Sequence, residues 1–460
     1  MIFYLLTKFR LFFVLIFCIV CLGHSQQAFA QEDERDVQVA FSLEDCLRYA
    51  YDNLEALKKQ QLTVKATNAQ VKEYVSVGLP QISAQAQITN NSIIQRQILP
   101  DGTLLGGPPG PIAVQFQPLY VAQAAVNISQ MIYDPSYPIG LKGVRLFRDL
   151  TERQAEFAKV DVAESVAKTY YLVLISKERI KLIDQNISRL DTLLRETKEL
   201  FSTGFVEQID VDRTEVSLNN LKIERESTIQ IIATTMQLLK FQMGMPVNNP
   251  ISLRDDLSKI KIDSTWLAFN ETDYTDRQEY DLLMRQRGLL EVDLQNKRAT
   301  GMIPSLRAFG SLGVNSGGTF SQITNRNRWF EFAFVGLSLN VPITNGGKTS
   351  ALVQKARIEL DKNQLDLQTL ERTFDFQVQQ AYTKLKNSLA LLEARKRNMD
   401  LAKEVTRVAK IKYENGIGSN LEVVTAETTF KEAELNYQLT MYDAIVARIE
   451  LEKALGTLVK

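Results

Sequence analysis

Polar and apolar positions alternate in two rhythms along this chain, and the rhythms exchange places in a fixed order. Residues 43–78 carry apolar positions at helical spacing. Ser42, with Asp45 three residues on, is a workable N-cap, and Gly78 and Pro80 stop the pattern. QISAQAQIT then alternates strictly, with Ile82, Ala84, Ala86 and Ile88 on one side and Gln81, Ser83, Gln85 and Gln87 on the other. A period of two with small polar residues on one face predicts a strand over about 81–90, in a barrel with a wet interior. Residues 99–118, LPDGTLLGGPPGPIAVQFQP, read as a Pro/Gly-rich loop. AQAAVNISQMIYD predicts a second strand over about 121–134. Pro135, Pro138 and Gly140 punctuate it, and helical patterns follow over about 141–201 and 208–243.

The order then recurs. A helix over about 275–300 ends at Gly301 and Pro304, and strands are expected at about 305–315 and 330–343. The second strand puts Val335, Leu337, Leu339 and Val341 on one face, and SGGTFSQITNRNR reads as the loop between the two. Gly346 and Gly347 lead into a helix over about 348–413, and a last helix runs to about 455. The expected organisation is a first repeat at 31–244, a connecting segment at 245–274 and a second repeat at 275–460. Hairpin tips fall at about 201–208 and 413–420. The tips, LFSTGFVEQIDVDRTE and KYENGIGSNLEVVTAE, superpose at a constant offset of 212 residues. Gly204 falls on Gly416, Asp210 on Glu422 and Glu215 on Glu427, and further on Gly244 falls on Gly456.

Element length predicts the architecture. Helices of about 61 and 66 residues are rods of ~90–100 Å, too long for one globular core. Leu367, Leu370, Phe374, Val378, Ala381, Leu385, Leu389 and Leu392 recur at steps of three and four, the stripe of a coiled coil. Two shorter helices laid end to end can line each long one. Gly204 and Gly416 supply the free backbone that a helix reversal needs. Four strands of membrane-crossing length cannot close, and lipid does not tolerate an open edge. Three copies would supply twelve strands. The expected class is mainly α with membrane β: a long coiled-coil helical barrel plus a trimeric twelve-stranded β-barrel.

Composition narrows the chemistry. Lys8 and Arg10 precede a short apolar run, LFFVLIFCIVCL, and an A-x-A site at Ala28–Ala30, which reads as a secretory signal peptide over residues 1–30. Cys21 lacks the small residue before it that a lipid anchor expects. The signal would carry away the single histidine, His24, together with Cys18 and Cys21. The remainder could form no internal disulfide, no Ser-His-Asp centre and no ordinary zinc site. Cys46 lies in an apolar-periodic helix start and reads as buried filler. Removing Lys8 and Arg10 from a balance of 54 basic and 54 acidic residues leaves a net charge of −2, with no nucleic-acid signature. Met243 and Met245 read as gap fillers before a soft-metal route. No cofactor, metal or catalytic residue is expected.

The twin tips, the breaks GLPQI and MIPSL, the turns YDPSYPIG and PITNGGK, and the closing ALGTL together resemble the TolC-like outer-membrane efflux proteins. The ordered set, duplicated at matched intervals, is the specific part. The resemblance implies a homotrimer in outer-membrane lipid with a helical tunnel into the periplasm. It also implies docking to a periplasmic adaptor and an inner-membrane pump of the RND or ABC kind. The tips, Gly204, Phe205, Gly416, Ile417 and Gly418, would line the entrance and meet the adaptor. Tyr413 and Asp210 occupy positions of a link that holds the family's entrance closed, and Glu422 one position of an acidic ring. Gly418, Ile209 and Thr425 depart from the pattern, so a second link and a second acidic ring are not expected. Asp210 and Glu422 also suit helix N-termini on their own account. The cargo expected is small toxic compounds. Protein secretion by a type I system and a poreless periplasmic coiled-coil scaffold are the alternatives.

Overall fold

The computed structural model describes residues 39–101, 103, 106–107, 109–257, 262, 264–268 and 277–459. The expected signal peptide lies outside the described residues, and segment 245–274 is described in part. The strands are β1 (Val39–Phe41), β2 (Gln81–Asn90), β3 (Gln97–Leu99), β4 (Ile112–Val114), β5 (Tyr120–Tyr133), β6 (Ile251–Leu253), β7 (Ser305–Gly318) and β8 (Phe330–Asn340). The α-helices are α1 (Leu43–Asn53), α2 (Glu55–Ser76), α3 (Ser136–Ser202), α4 (Gln208–Gln242), α5 (Gln278–Met302), α6 (Phe320–Ile323), α7 (Lys348–Glu414) and α8 (Asn420–Ala454). Pro250–Leu253 and the first residues of β1 form a small unit of their own, in which β1 pairs with β6. The rest of the described chain forms a second unit, Phe41–Asn249 with Arg254 onward.

In this second unit the two halves carry matching elements. Both α3 and α7 have 67 residues, and both α4 and α8 have 35. At 1.5 Å per residue the long helices reach ~100 Å. A rod of that length buries its apolar stripe only against neighbours. Accordingly α3 packs along α1, α2, α4, α5 and α8, and α7 along α5 and α8. The spaced stripe on α7 is the buried one: Leu367, Phe374, Ala381, Leu385 and Leu392 are buried, and Val378 and Leu389 pack beside them.

Two helix boundaries differ from the sequence pattern. Residues 43–78 are not one helix: Leu54 is extended (φ −62°, ψ 123°) between α1 and α2. The backbone of Gly244, just past α4, closes on this break. A Cβ there would stand 2.7 Å from Leu54 Cα. Helix α3 begins at Ser136, ahead of the expected start at 141, because Asp134 Oδ1 accepts from Ser136 N at 2.9 Å. Pro138 falls in the first turn, where a missing N–H removes no helical bond.

The four long strands form one antiparallel sheet in the order β2-β5-β7-β8. Its register puts like with like, since directly paired residues share a face. Ile82, Ala84, Ala86 and Ile88 pair with Ile128, Val126, Ala124 and Ala122. Val126 and Ala124 pair onward with Leu312 and Val314. Leu312, Gly310, Ala308 and Leu306 then pair with Ala333, Val335, Leu337 and Leu339. That face is apolar and open, with Val335 90% exposed. The opposite face carries Gln81, Ser83, Gln85, Gln87, Gln123, Asn127, Ser129 and Asn315, and Ser311 Oγ donates to Asn127 Oδ1 at 2.8 Å.

The polar face also holds an unexpected aromatic group. Phe309 meets Phe334 edge-on at 6.2 Å, and Phe332 stacks with Phe334 at 6.3 Å. The loops are more ordered than Pro and Gly suggest. β4 lies inside the expected 99–118 loop and pairs with β3, which ends where that loop begins, and α6 with a 3₁₀ turn at Arg326–Arg328 fills the other. Strand β7 extends to Gly318, past 315, and β8 stops at Asn340, short of 343. Among the described residues no helix is long and apolar enough to cross a membrane.

The centre of the sheet has no room to spare at Gly313. A Cβ there would lie 2.4 Å from Ala124 O and 2.8 Å from Ala125 Cα. Gly313→Val should therefore push β5 and β7 apart at a cost of ~1–3 kcal/mol. Thermal unfolding of the detergent-purified protein should show the loss, while Val335→Ile at the exposed edge should not.

Candidate functional site at the hairpin tips

Each long helix folds back through a short tip, and the two tips are built alike. After α3, Phe205 N donates to Leu200 O at 2.9 Å and Gly204 N to Phe201 O at 3.0 Å. After α7, Ile417 N donates to Lys412 O and Gly416 N to Tyr413 O, both at 3.0 Å. This is the glycine-terminated helix end in which a left-handed residue turns the chain and satisfies the last carbonyls. Gly204 (φ +81°) and Gly416 (φ +71°) supply that residue. Gly418 has ordinary φ but little space: a Cβ would stand 3.0 Å from Lys412 Cβ. Phe205 and Ile417, at equivalent positions, point outward at 80% and 79% exposure.

The tips lie at one end of a shared core. Leu190, Leu193, Leu194, Val211, Leu218 and Leu221 from the α3–α4 hairpin pack with Ala409, Tyr413, Val423, Val424 and Ala426 from the α7–α8 hairpin. Four polar side chains are sealed in this apolar shell. Asn420 Nδ2 donates to Thr197 Oγ1 at 3.2 Å and to Thr214 Oγ1 at 3.1 Å. Tyr413 Oη donates to Thr197 Oγ1 at 3.3 Å. Each threonine also donates one turn back, Thr197 to Leu193 O and Thr214 to Asp210 O, both at 2.8 Å. Thr197, Thr214, Asn420 and Tyr413 are all buried, so α3, α4, α7 and α8 meet in one small hydrogen-bonded knot.

Tyr413 thus lies beside the second tip, bonded to a partner other than the expected Asp210. Its hydroxyl engages Thr197, while Asp210 Oδ1 accepts from Arg213 Nη1 at 3.2 Å, one turn along its own helix. Asp210 joins the knot through its backbone carbonyl. Glu422 lies in the first turn of α8, where its N–H donates to the Ser419 cap at 3.3 Å. Its side chain lines an open groove of about 880 Å³ between α7 and α8, with Leu401, Val405, Lys412, Leu421 and Thr425. Asn420, Thr197 and Thr214 were not singled out from the sequence. The available signal was a polar residue at an apolar coiled-coil position: Leu190, Leu193, Thr197 and Leu200 step like a seam, as do Val211, Thr214, Leu218 and Leu221.

Away from the tips, charged pairs continue between α3 and α8. Arg189 Nε donates to Glu427 Oε2 at 3.2 Å, and its guanidinium lies 5.0 Å from the Phe430 ring centre. Lys168 Nζ bonds Glu450 at 3.0 Å, and Lys453 Nζ bonds Glu164 at 2.7 Å. Glu224 of α4 accepts from Arg179 at 2.9 Å and pairs with Lys431 at 2.5 Å. Burial disfavours its charge, but the Lys431 and Arg179 hydrogen bonds outweigh this and hold the carboxyl below its usual range. Among the described residues no group of His, Cys, Asp and Glu could hold a metal ion.

Paired helical hairpins of this length, joined to a four-stranded sheet with one apolar face, are the fold of the outer-membrane channel proteins. Residues 293–457 match the family described as "Outer membrane efflux protein". The chain is 21% identical over 345 residues to the outer membrane protein TolC of Vibrio cholerae, covering 73% of this chain and 76% of that one. It is 23% identical over 309 residues to the proteases secretion protein PrtF of Dickeya chrysanthemi, covering 65% and 64%. The fold superposes on the Campylobacter jejuni CmeC outer membrane channel with a TM-score of 0.69 and 17% identity, covering 94% of this chain and 91% of that one. The second half of this chain thus matches the outer-membrane efflux proteins in sequence, and the chain as a whole shares the fold of the TolC-like outer-membrane channels.

The knot makes a graded prediction. Asn420→Ala removes donors to both threonines in a sealed site and should lower stability by ~1–3 kcal/mol. Tyr413→Phe deletes one longer bond and should cost ~0.5–1 kcal/mol. Thermal unfolding of the two variants should rank them in that order.

Proposed function

We propose that three copies of this chain form one exit duct, a twelve-stranded barrel in the outer membrane continued by a helical barrel into the periplasm. The observation that carries this reading is the sheet. Its four strands present an apolar face, and β2 and β8 have neighbours on one side only. In hydrocarbon those free backbone groups need partners, and joining β8 of one copy to β2 of the next supplies them. The halves act as two repeats, 31–244 and 275–460, around the connecting segment 245–274, each contributing a hairpin to the duct.

In this reading the tips form the periplasmic entrance. Gly204, Phe205, Gly416, Ile417 and Gly418 make the contact with a periplasmic adaptor, which Phe205 and Ile417 support by their exposure. Tyr413, Asp210 and Glu422 belong to the gate, Tyr413 through the buried knot and Glu422 through the groove that faces a neighbouring hairpin. An inner-membrane RND or ABC pump feeds small toxic compounds into the duct. The likeness to a protease secretion protein favours polypeptide export as the second reading.

Planar-bilayer recording of the detergent-purified protein, with chemical cross-linking of the same sample, tests the duct. Cross-linked trimers and small, stable currents are expected. A monomer that stays in the aqueous fraction and carries no current would overturn the reading. Cells lacking the protein should become sensitive to small toxic compounds; unchanged sensitivity with loss of a secreted protein would move the cargo to polypeptides.

A further inference from the structure

One cluster between the hairpins carries an unbalanced charge. Glu427, Phe430 and Glu434 step three and four residues along α8 and share a face toward α3. Both carboxylates are buried, at 9% and 7% exposure. One guanidinium serves them: Arg189 Nε bonds Glu427 at 3.2 Å, its Nη2 lies 3.9 Å from Glu434 Oε2, and its plane covers Phe430. Asn186, one turn before Arg189, donates from Nδ2 to Glu434 Oε2 at 3.1 Å and accepts from Arg189 through Oδ1. The other cations nearby do not restore the balance. Lys431 pairs with Glu224 on α4, as does Arg179, and Lys403 on α7 acts on Glu434 without forming an ion pair to it.

We propose that Arg189 is a latch between the two hairpins and that the latch tightens when the Glu427–Glu434 cluster takes up a proton. The inference rests on the exit-duct reading for its meaning, but the latch itself is a property of the chain. With both carboxylates ionised the cluster holds two buried negative charges against one positive. Binding one proton at Glu434 leaves a neutral Arg189–Glu427 pair, and Asn186 still donates to the Glu434 carboxyl. Arg189 is a positioning residue here: it holds α8, and with it the second tip, against α3.

The direction of the pH effect follows from burial. Desolvation raises the Glu434 carboxyl above its ordinary value and the Glu427 charge raises it further, while Asn186, Arg189 and Lys403 pull it down by less. If the second hairpin swings away, the carboxyl meets water and returns to its ordinary value. The packed arrangement therefore binds more protons than the separated one at pH values above the ordinary Glu range. Its extra stability is fully present below that range and is lost as pH rises through the raised value. Mild acid should favour closed hairpins, by up to about tenfold in the closed-to-open ratio per pH unit per chain.

Spin labels at Phe205→Cys and Ile417→Cys in the mature protein, without residues 1–30, read the separation of the tips directly. Cys46 is buried and its thiol is pushed up to about 12, so it should stay unlabelled. Between roughly pH 8 and pH 5 the labelled protein should shift toward the short distance. Glu434→Gln should hold the short distance at both ends of that range. Arg189→Gln should lengthen it at all pH values, and Arg189→Lys should restore part of the closure. A Glu434→Gln variant that titrates like the parent, or an Arg189→Gln variant with unmoved tips, overturns the latch. Bilayer currents recorded in parallel separate the two readings: currents with pH-independent tips sink the latch alone, and moving tips with no current in any variant sink the duct alone.

Discussion

Burial along α3 is the constraint on which the other elements depend. A helix of 67 residues has no core of its own, so its stability is whatever its neighbours supply. Helix α3 serves α4 as hairpin partner, α2 and α5 toward the sheet, and α8 across the boundary between the halves. The α3–α8 seam joins the two halves. It is studded with polar pairs: Thr197 with Asn420, Arg189 with Glu427, Lys168 with Glu450 and Glu164 with Lys453. These positions run down α3 as they run up α8, as antiparallel helices require. Apolar burial sets no single register along such rods, whereas a buried polar pair is satisfied in one.

Internal repetition explains the scaffold, and departures from it mark the site. The helix ends at Gly204, Gly244, Gly416 and Gly456 share one hydrogen-bond pattern at an offset of 212 residues. The knot occupies positions where the halves disagree. Thr197 corresponds to Ala409, Thr214 to Ala426, Tyr413 to Phe201 and Asn420 to Gln208. Two of the three latch residues do likewise, with Arg189 opposite Leu401 and Glu434 opposite Lys222, whereas Glu427 falls on Glu215. A duplicated pair of hairpins has thus acquired different inner faces. One offers hydroxyls and a guanidinium, and the other the amide, phenol and carboxylates that meet them.

The sheet answers to backbone chemistry first. Alternation of side chains sorts its faces, and the register keeps the apolar set together over four strands. The phenylalanines on the otherwise polar face pair with or adjoin Gly313 and Gly336. A Cβ at Gly336 would lie 2.7 Å from Phe309 Cζ, so these rings fold over backbone that carries no side chain. That packing accounts for large apolar residues on a face that is otherwise Gln, Ser and Asn.

The sequence by itself determined the elements and their order. Period two and period 3.6 are local properties, and Gly204 and Gly416 turn the chain through their own backbone freedom whatever surrounds them. The position of Phe205 and Ile417 at the hairpin tips was legible for the same reason. Tertiary structure decided what meets across the hairpins. Tyr413 reaches Thr197, 216 residues away, while Asp210 turns to Arg213, because partner choice depends on which buried faces stack. The break at Leu54 was likewise invisible, and the backbone packed against it, Gly244, lies at the far end of another helix. Arg189, Glu427 and Glu434 read as solvated charges along the chain and become a cluster only once α3 and α8 are side by side.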